Sequence, residues 1–275
     1  MATPLQWIDS VSARTHGWQP VRQFWFAQQL PALQVSIAEL AALVPNAPLA
    51  FAKVADDRFT LAMLTGFADG RNQLVDDQGR WLLQYLPLEL QAYPFALQPV
   101  PHTEGVERTL GMGFNHASGL YREAPNAEAG EQRFFTDDGQ QQPLFKRVLE
   151  HLQKQIGQQQ LTQRAVAALQ QAQLLTPWQI QPREGHTDEL LPKGLYRIDE
   201  PKLQQLQAQE LETLHKANAI ALAYGQLLSM GRTIVLQRLK DTHAARRAPA
   251  APAPDLGVVQ KMFEPGKPDT VQFNW

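Results

Sequence analysis

Two short motifs in the sequence place an acidic residue two positions after a histidine. His102-Thr103-Glu104 and His186-Thr187-Asp188 both have the spacing of the His-x-acid half of a facial iron site, in which a distal histidine completes the ligand set. His215 is available as that histidine, although its neighbours have a helical pattern. In a chain with 7 histidines, chance alone produces this spacing about once. A metal-dependent enzyme that uses His186, Asp188 and His215 is therefore an alternative hypothesis rather than the leading one.

Large aromatic side chains flank a proline-containing turn and form a second candidate site. Trp81, Tyr85, Tyr93 and Phe95 occur within a short stretch of the chain. Aromatic side chains offer a large contact area at a small cost in conformational entropy, so these four could line a cleft for a peptide or a glycan. The simpler interpretation is a satellite core that joins strands to helices.

Other sequence motifs that carry chemistry are missing from this chain. It contains no Walker A loop, HExxH, GxSxG or EF-hand loop. It also contains no cysteine, which excludes a disulfide framework, a thiolate metal site and a cysteine nucleophile. The aspartate pairs at 56–57, 76–77 and 137–138 are typical of hairpin turns rather than of calcium sites. We expect no cofactor, and the balance of the motifs is against an enzyme.

Composition restricts the class of protein further. The chain has 275 residues, of which 44% are hydrophobic and 19% charged, and its net charge is −2. This content supports a packed core, and the absence of a basic excess argues against a nucleic-acid-binding protein. No signal-peptide pattern is present at the N-terminus, and no stretch reaches the roughly 18–20 apolar residues of a membrane span. The sequence therefore predicts a cytoplasmic protein.

The N-terminal half has the pattern of a β-rich structure. Ser36 and Glu39 form a capping-box pattern at the start of a short helix. Strands are predicted at 49–54, 59–67, 72–75 and 80–83, which together make a meander, and further strands within 96–122, with Gly111, Gly113 and Gly119 as breaks.

The C-terminal half has a helical period. A helix is predicted from Pro143 to Gly157 and a second from Thr162 to Leu175. A strand follows at 195–198, then a helix capped by Asp199, and one or two long helices within 210–240. We predict an α+β fold, in which a β-rich half, residues 1–135, packs on a helical half, residues 143–243.

Two further regions indicate interactions with other proteins. Residues 244–254 form an Ala/Pro linker, and residues 255–275 regain hydrophobic side chains, including Phe273 and Trp275. We predict that this tail docks, either on its own chain or on a partner. Eleven glutamines lie between 153 and 181, and we expect them on exposed helix faces that a partner or a second copy can cover without desolvating many charges.

Several separated blocks of the sequence occur in a characteristic order. The blocks are HGWQPVRQFWFAQQLPALQVSIAEL from His16, PLAFAKV, FADGRNQLVDDQGRW, YLPLELQAYPFAL, GLYRIDEPKLQQL and ALAYGQLLSMGRTIVLQRL. Together they resemble one family of bacterial proteins, the SapC family. The resemblance implies an accessory role beside bacterial surface-layer genes, TonB-dependent receptors or tryptophan-halogenase-like flavoproteins. It implies no catalytic residue set. We therefore expect a non-enzymatic accessory protein that binds a protein or peptide, with a halogenase-like flavoprotein or a receptor system as partner.

Overall fold

The computed structural model of the chain describes residues 5–54, 57–99, 110–178 and 191–247. The helices in these ranges are α1 (Leu40–Leu43), α2 (Leu88–Ala92), α3 (Pro143–Gln171), α4 (Glu200–Gln204), α5 (Ala208–Lys216), α6 (Ala219–Ser229) and α7 (Thr233–Arg247). The strands are β1 (Gln6–Trp7), β2 (Gly17–Trp18), β3 (Ala32–Gln34), β4 (Leu49–Lys53), β5 (Phe59–Leu64), β6 (Phe95–Pro99), β7 (Leu110–Phe114), β8 (Tyr121–Arg122), β9 (Gln132–Arg133), β10 (Leu175–Pro177) and β11 (Leu195–Ile198).

These strands form three antiparallel sheets. One has 5 strands in the order β10-β11-β4-β5-β3, and two have 3 strands, in the orders β1-β7-β6 and β8-β2-β9. The strands concentrate in the N-terminal half and the helices in the C-terminal half. The predicted α+β class is confirmed. Because β11 comes from the helical half and pairs with β4, the two halves share a sheet.

The hairpin of β4 and β5 is confirmed, whereas the second half of the predicted meander is wrong. Residues 72–75 and 80–83 form only the isolated bridges Gly66–Asn72 and Val75–Trp81. A few backbone bonds remain, such as that from Asp76 N–H to the Arg80 carbonyl at 3.0 Å, and side chains supplement them. The Asn72 amide oxygen accepts from Leu74 N–H, at 2.8 Å, and the Asp76 carboxylate accepts from Arg80 N–H, at 2.9 Å. Such local bonds to asparagine and aspartate compete with strand pairing.

A single helix replaces the two that were predicted between Pro143 and Leu175. α3 has 29 residues and passes through Gly157 without a break. A glycine inside a helix costs about 1 kcal/mol relative to alanine, which is less than the burial of either half contributes. Phe145 and Leu152 anchor the N-terminal half of α3, and Val166 and Leu169 anchor its C-terminal half.

Two hydrophobic cores lie at the two ends of α3. The main core joins the 5-stranded sheet to the C-terminal helices. Its fully buried side chains include Phe51, Leu61, Met63, Leu169 and Leu222. The second core is aromatic and contains Trp18, Phe95, Phe114, Phe134 and Phe145. In that core the rings of Trp18 and Phe134 stack with centroids 5.2 Å apart. α3 therefore spans the space between the two cores.

Gly111 and Gly113 were predicted as breaks but lie inside β7. A Cβ on Gly113 would lie 2.9 Å from the Leu5 side chain, so the glycine permits close packing there. Gly119 does occupy a turn, with φ at 69°. Gln132 and Arg133, which follow this turn in the chain, form the short strand β9.

The C-terminal helices begin as predicted, where the Asp199 side chain accepts from Lys202 N–H at 3.3 Å. The last helix, α7, runs to Arg247, so residues 244–247 of the predicted linker are helical. The remaining linker and the tail lie outside the described residues. By length and composition, one helical stretch in the described part, Ala219–Arg246, is apolar enough to cross a membrane. A core helix meets the same criterion, and Leu222 and Ala223 are fully buried in the protein.

Candidate functional site

A groove of about 680 Å³ runs along the middle of α3 and is called the α3 groove below. It lies between β6 of one sheet and β5 of another, and α2 contributes to its wall. Its apolar lining is Val54, Ala92, Phe95, Ala96, Leu97, Leu152 and Ile156. Its uncharged polar lining is Gln34, Thr60, Gln155, Gln159, Gln160 and Gln163. An apolar cleft with a few convergent polar groups is typical of a binding site.

The glutamines on α3 lie on one face because of their spacing. Gln155, Gln159 and Gln163 follow one another at intervals of four residues, which places them along one side of a helix. Gln163 donates its side-chain N–H to the carbonyl of Phe59 at 2.8 Å. Gln34 donates to Gln159 at 3.3 Å. All three glutamines are half-buried, and Gln159 and Gln163 bind the sheet, so the exposed helix faces expected from composition hold for only part of the glutamine-rich segment.

α2 forms one wall of the groove, and hydrogen bonds to the Glu39 side chain fix its position. This carboxylate is 3% exposed and accepts a hydrogen bond from Ser36 N–H at 2.8 Å. That bond is one of the two that define the predicted capping box. It also accepts from Leu88 N–H at 2.9 Å and from the Tyr85 hydroxyl at 3.2 Å. Several hydrogen bonds compensate the burial of the charge. Burial, with the Glu39 charge beside it, raises the pKa of Tyr85 well above its ordinary value.

Glu89 is the acidic residue in the lining of the α3 groove. One of its carboxylate oxygens accepts from Gln34 N–H at 2.7 Å and so joins α2 to the end of β3. Its side chain is open to the groove but surrounded by the groove walls. Partial desolvation raises the pKa of Glu89, the hydrogen bond from Gln34 opposes this shift, and the charge of Glu39 reinforces it.

One edge of β6 has unpaired backbone groups beside the groove. The carbonyl of Pro94 accepts from Asn115 N–H at 2.9 Å, so Pro94 faces β7, and Ala96 faces β7 by strand alternation. Phe95 and Leu97 therefore direct their N–H and C=O groups to the opposite side. In the described part of the chain, no backbone group pairs with them there. Unpaired groups of this kind are a template for an added strand.

β6 is also the longest edge strand among the strands described. It has 5 residues, whereas β3 and β10 have 3 and β1, β8 and β9 have 2. Pro99, which lacks an N–H group, lies at the end of β6 in the outward register. Proline is found on edge strands because it cannot donate to a neighbouring strand. β6 is thus an edge by sequence as well as by topology.

The four aromatic residues predicted as a site separate into two pairs. Trp81 donates its ring N–H to the carbonyl of Tyr85 at 2.9 Å, and both rings pack on the main core. Tyr93 stacks on Phe26 with ring centroids 3.6 Å apart. Phe95 belongs to the second core. Tyr93 and Phe95 both line a cleft of about 210 Å³, and Phe95 also lines the α3 groove.

The other predicted site residues lie mostly outside the described residues. This is true of His102, His186, Asp188, Phe273 and Trp275. His215 is exposed in the last turn of α5. Within the described ranges, no group of 3 or more histidine, aspartate or glutamate side chains is placed to hold a metal ion. The metal hypothesis therefore remains a prediction for His186 and Asp188.

A separate cluster of titratable side chains joins β2 to β8, away from the groove. His16 Nδ1 lies 2.6 Å from the Tyr121 hydroxyl, and the rings of His116 and Tyr121 lie 4.0 Å apart. Burial, reinforced by the nearby His16, lowers the pKa of His116. These contacts pack on Phe114 of the second core, so the cluster has a structural explanation.

Comparison with families of known proteins gives one result that covers most of the molecule. The family model of SapC matches residues 8–236. The chain belongs to the SapC family. The resemblance of the sequence blocks is thereby confirmed. Comparisons with curated proteins and with solved structures gave no significant match.

The α3 groove lies entirely inside the segment that matches the SapC family. Sequence reasoning missed this groove, although two signals for it were present in the sequence. The glutamines at intervals of four predict a polar helix face, and a proline in a predicted strand region indicates an edge. Neither signal shows that the two features meet, since about 60 residues separate β6 from this part of α3.

Proposed function

We propose that this SapC-family protein is a non-enzymatic accessory protein that binds an extended segment of a partner protein in the α3 groove. The segment adds as a strand to the unpaired edge of β6. The observation that carries the proposal is this edge, where the backbone groups of Phe95 and Leu97 face a groove and have no partner among the described residues. Peptides bind other sheet edges in the same way.

The chemistry of the lining supports a peptide rather than a reaction. Only two lining residues, Arg58 and Glu89, are charged, and Glu89 is already hydrogen-bonded to Gln34. Side-chain amides can donate and accept hydrogen bonds but do not transfer protons at neutral pH. Main-chain pairing gives affinity, and the apolar floor of Leu152 and Ile156 favours apolar side chains on one face of the ligand.

We propose that the partner belongs to a bacterial surface-layer, envelope-uptake or halogenase-like system. This part of the proposal rests on the resemblance to the SapC family, which points to TonB-dependent receptors and tryptophan-halogenase-like flavoproteins. A groove with few charges favours a weakly charged segment because such a segment brings no ion of its own that must be desolvated.

A photo-cross-linking experiment tests the site. A benzophenone amino acid replaces Gln160, an exposed lining residue, in the full chain produced in its native host. The matched control replaces Gln153, which is exposed on the same helix but does not line the groove. We expect a defined partner segment joined at position 160 and not at 153, identified by mass spectrometry. Identical products at both positions, or none at either, contradict the proposal.

The captured segment, made as a synthetic peptide, then tests strand addition. Each N–H that faces β6 donates a hydrogen bond, so N-methylation at alternate residues in one register should abolish binding, while the other register should have little effect. On the protein, Leu97→Pro removes the outward N–H, and Leu97→Ala removes the same side chain but keeps that N–H. We expect affinity in Leu97→Pro to be roughly two- to tenfold below that in Leu97→Ala. Equal affinities argue against pairing with β6.

A further inference from the structure

The last six residues of the sequence have the pattern of a β-strand. In Thr270-Val271-Gln272-Phe273-Asn274-Trp275, apolar residues alternate with polar ones throughout. Alternation of this kind, together with β-branched and aromatic residues, favours a strand with one apolar face. None of these six side chains is charged.

We infer that residues 270–275 of this chain occupy the α3 groove as a strand added to β6, and that a partner segment must displace them. The inference deepens the proposed function, on which it rests, because it names a regulator of the same site. An added strand would extend the sheet order β1-β7-β6 by one strand and use the backbone groups of Phe95 and Leu97.

The two faces of the segment match the two sides of the site. Leu97 packs on the same side as the second core, toward α3, whose Leu152 and Ile156 form the floor. A strand paired with β6 in register places Val271, Phe273 and Trp275 together on that side. Gln272 and Asn274 then lie on the opposite side, and no side chain of the segment brings a charge into the groove.

The length of the connecting chain allows this docking within one molecule. Between α7, which ends at Arg247, and Thr270 lie residues 248–269, which number 22. A chain of that length reaches up to about 70 Å when extended, and a protein of this size has a radius of gyration of about 19 Å. A tethered segment also has an effective concentration of about 1 mM, which favours it over a free competitor.

The outer face of α6 and α7 is another apolar surface of the described residues that the tail could meet. Tyr224, Leu228 and Ile234 are 47%, 74% and 47% exposed there. Helix backbone groups are hydrogen-bonded within the helix, so this face offers nothing with which a strand can pair. A segment with period-two alternation therefore fits the edge of β6 better.

A displacement experiment tests the inference. The probe is a fluorescein-labelled peptide of sequence TVQFNW, and anisotropy measures its affinity for the full chain and for a chain that ends at Asp269. We expect saturable binding to the shortened chain and an affinity about tenfold lower for the full chain, because the tethered copy competes. Equal affinities for the two chains, or no loss in the shortened Leu97→Pro variant relative to Leu97→Ala, overturn the inference.

Two full-length variants test the same point without a truncation. Phe273→Asp puts a charge on the apolar face of the segment, whereas Gln272→Asp puts the same charge on its polar face. We expect Phe273→Asp to bind the probe as the shortened chain does and Gln272→Asp to bind it as the full chain does. The same affinity in both variants contradicts the inference.

Cross-linking identifies the occupant and the molecule that provides it. A benzophenone residue at position 160, in a mixture of ¹⁴N- and ¹⁵N-labelled chains, should join peptides from 270–275 of the same isotope. Mixed-isotope products, which show a second copy, overturn the inference, as do products between 270–275 and a benzophenone at Leu228.

The outcomes separate this inference from the proposed function. If the probe does not bind the shortened chain but a partner segment cross-links at position 160, the inference fails and the proposed function stands. If the tail cross-links to the groove but no partner segment is captured and none displaces the probe, the proposed function fails and the inference about the tail stands.

Discussion

Within this molecule, one edge of β4 is paired with another strand, whereas one edge of β6 is open among the described residues. The edge of β4 is closed by β11, which comes from a segment more than 140 residues later and pairs Leu195 with Ala52. The edge of β6 has no such partner in the described ranges. Both strands pack on the helical half of the protein, so burial alone does not separate them.

The difference lies in what the helices contribute at each edge. At β4, a side chain of α6 completes the pairing. Gln226, fully buried, accepts from Ile198 N–H at 2.9 Å and donates to the Leu49 carbonyl at 3.1 Å. At β6, the glutamines of α3 line an open groove instead. At β4, therefore, a strand from a distant part of the chain is added to the sheet edge with the help of a glutamine side chain. At β6 there is likewise a strand edge beside glutamine side chains, but no added strand among the described residues.

Breaking the closed edge has the largest expected effect. Gln226→Leu keeps the volume of the side chain but leaves two buried backbone groups without partners. Each such group costs about 1–3 kcal/mol, so we expect a loss of about 2–6 kcal/mol in the free energy of unfolding. Urea denaturation followed by circular dichroism measures it.

Gln153→Leu is the matched control for that substitution because Gln153 is exposed on α3. A change within about 0.5 kcal/mol is expected there. If Gln226→Leu were equally neutral, the pairing of β11 with β4 would not depend on the side chain of α6, and the comparison of the two edges would lose its basis.

Where local chemistry determines structure, the sequence predicted the fold well. The capping pattern of Ser36 and Glu39, the hairpin of β4 and β5, the strand at 195–198 and the cap at Asp199 are all set by residues close in the chain, and each is confirmed. The pairing of β11 with β4 depends on contacts between distant residues, and periodicity carries no information about which strands meet.

The candidate site was harder to predict for the same reason. Trp81, Tyr85, Tyr93 and Phe95 attract attention as large aromatic residues, but the first two pack on one core and Phe95 on another. The groove is made by a strand edge and side-chain amides, and their sequence signals, the glutamine spacing and Pro99, do not show that the two features meet. Its position depends on the continuity of α3 through Gly157, and propensity predicted a break there.

A substitution at Gly157 tests α3, the helix that joins the two hydrophobic cores. A Cβ at Gly157 meets nothing within 4 Å, and the backbone there is helical. Gly157→Ala should therefore stabilise the protein by about 0.5–1 kcal/mol, chiefly by restricting the unfolded chain. Thermal unfolding should show a rise of about 1–4 °C.

Gly113→Ala provides the contrast, because its new Cβ would lie 2.9 Å from Leu5, and we expect destabilisation. A Gly157→Ala variant that unfolds at a lower temperature than the parent would show that α3 needs a flexible point between the two cores.

The smallest expected effect concerns the charge at the open edge. In the folded protein the pKa of Glu89 is raised above its ordinary value of 4.5. The protonated Glu89 side chain therefore contributes stability that is fully present below pH 4.5 and is lost as pH rises through the raised pKa. A strand in the groove shields Glu89 further and adds to the cost of its negative charge. Affinity for the TVQFNW probe, measured on the chain that ends at Asp269, should therefore be about threefold higher at pH 5 than at pH 7.5.

Glu89→Gln keeps an acceptor for Gln34 N–H and should make the affinity independent of pH. An unchanged pH dependence in that variant would place the responsible group elsewhere and the bound segment away from α2.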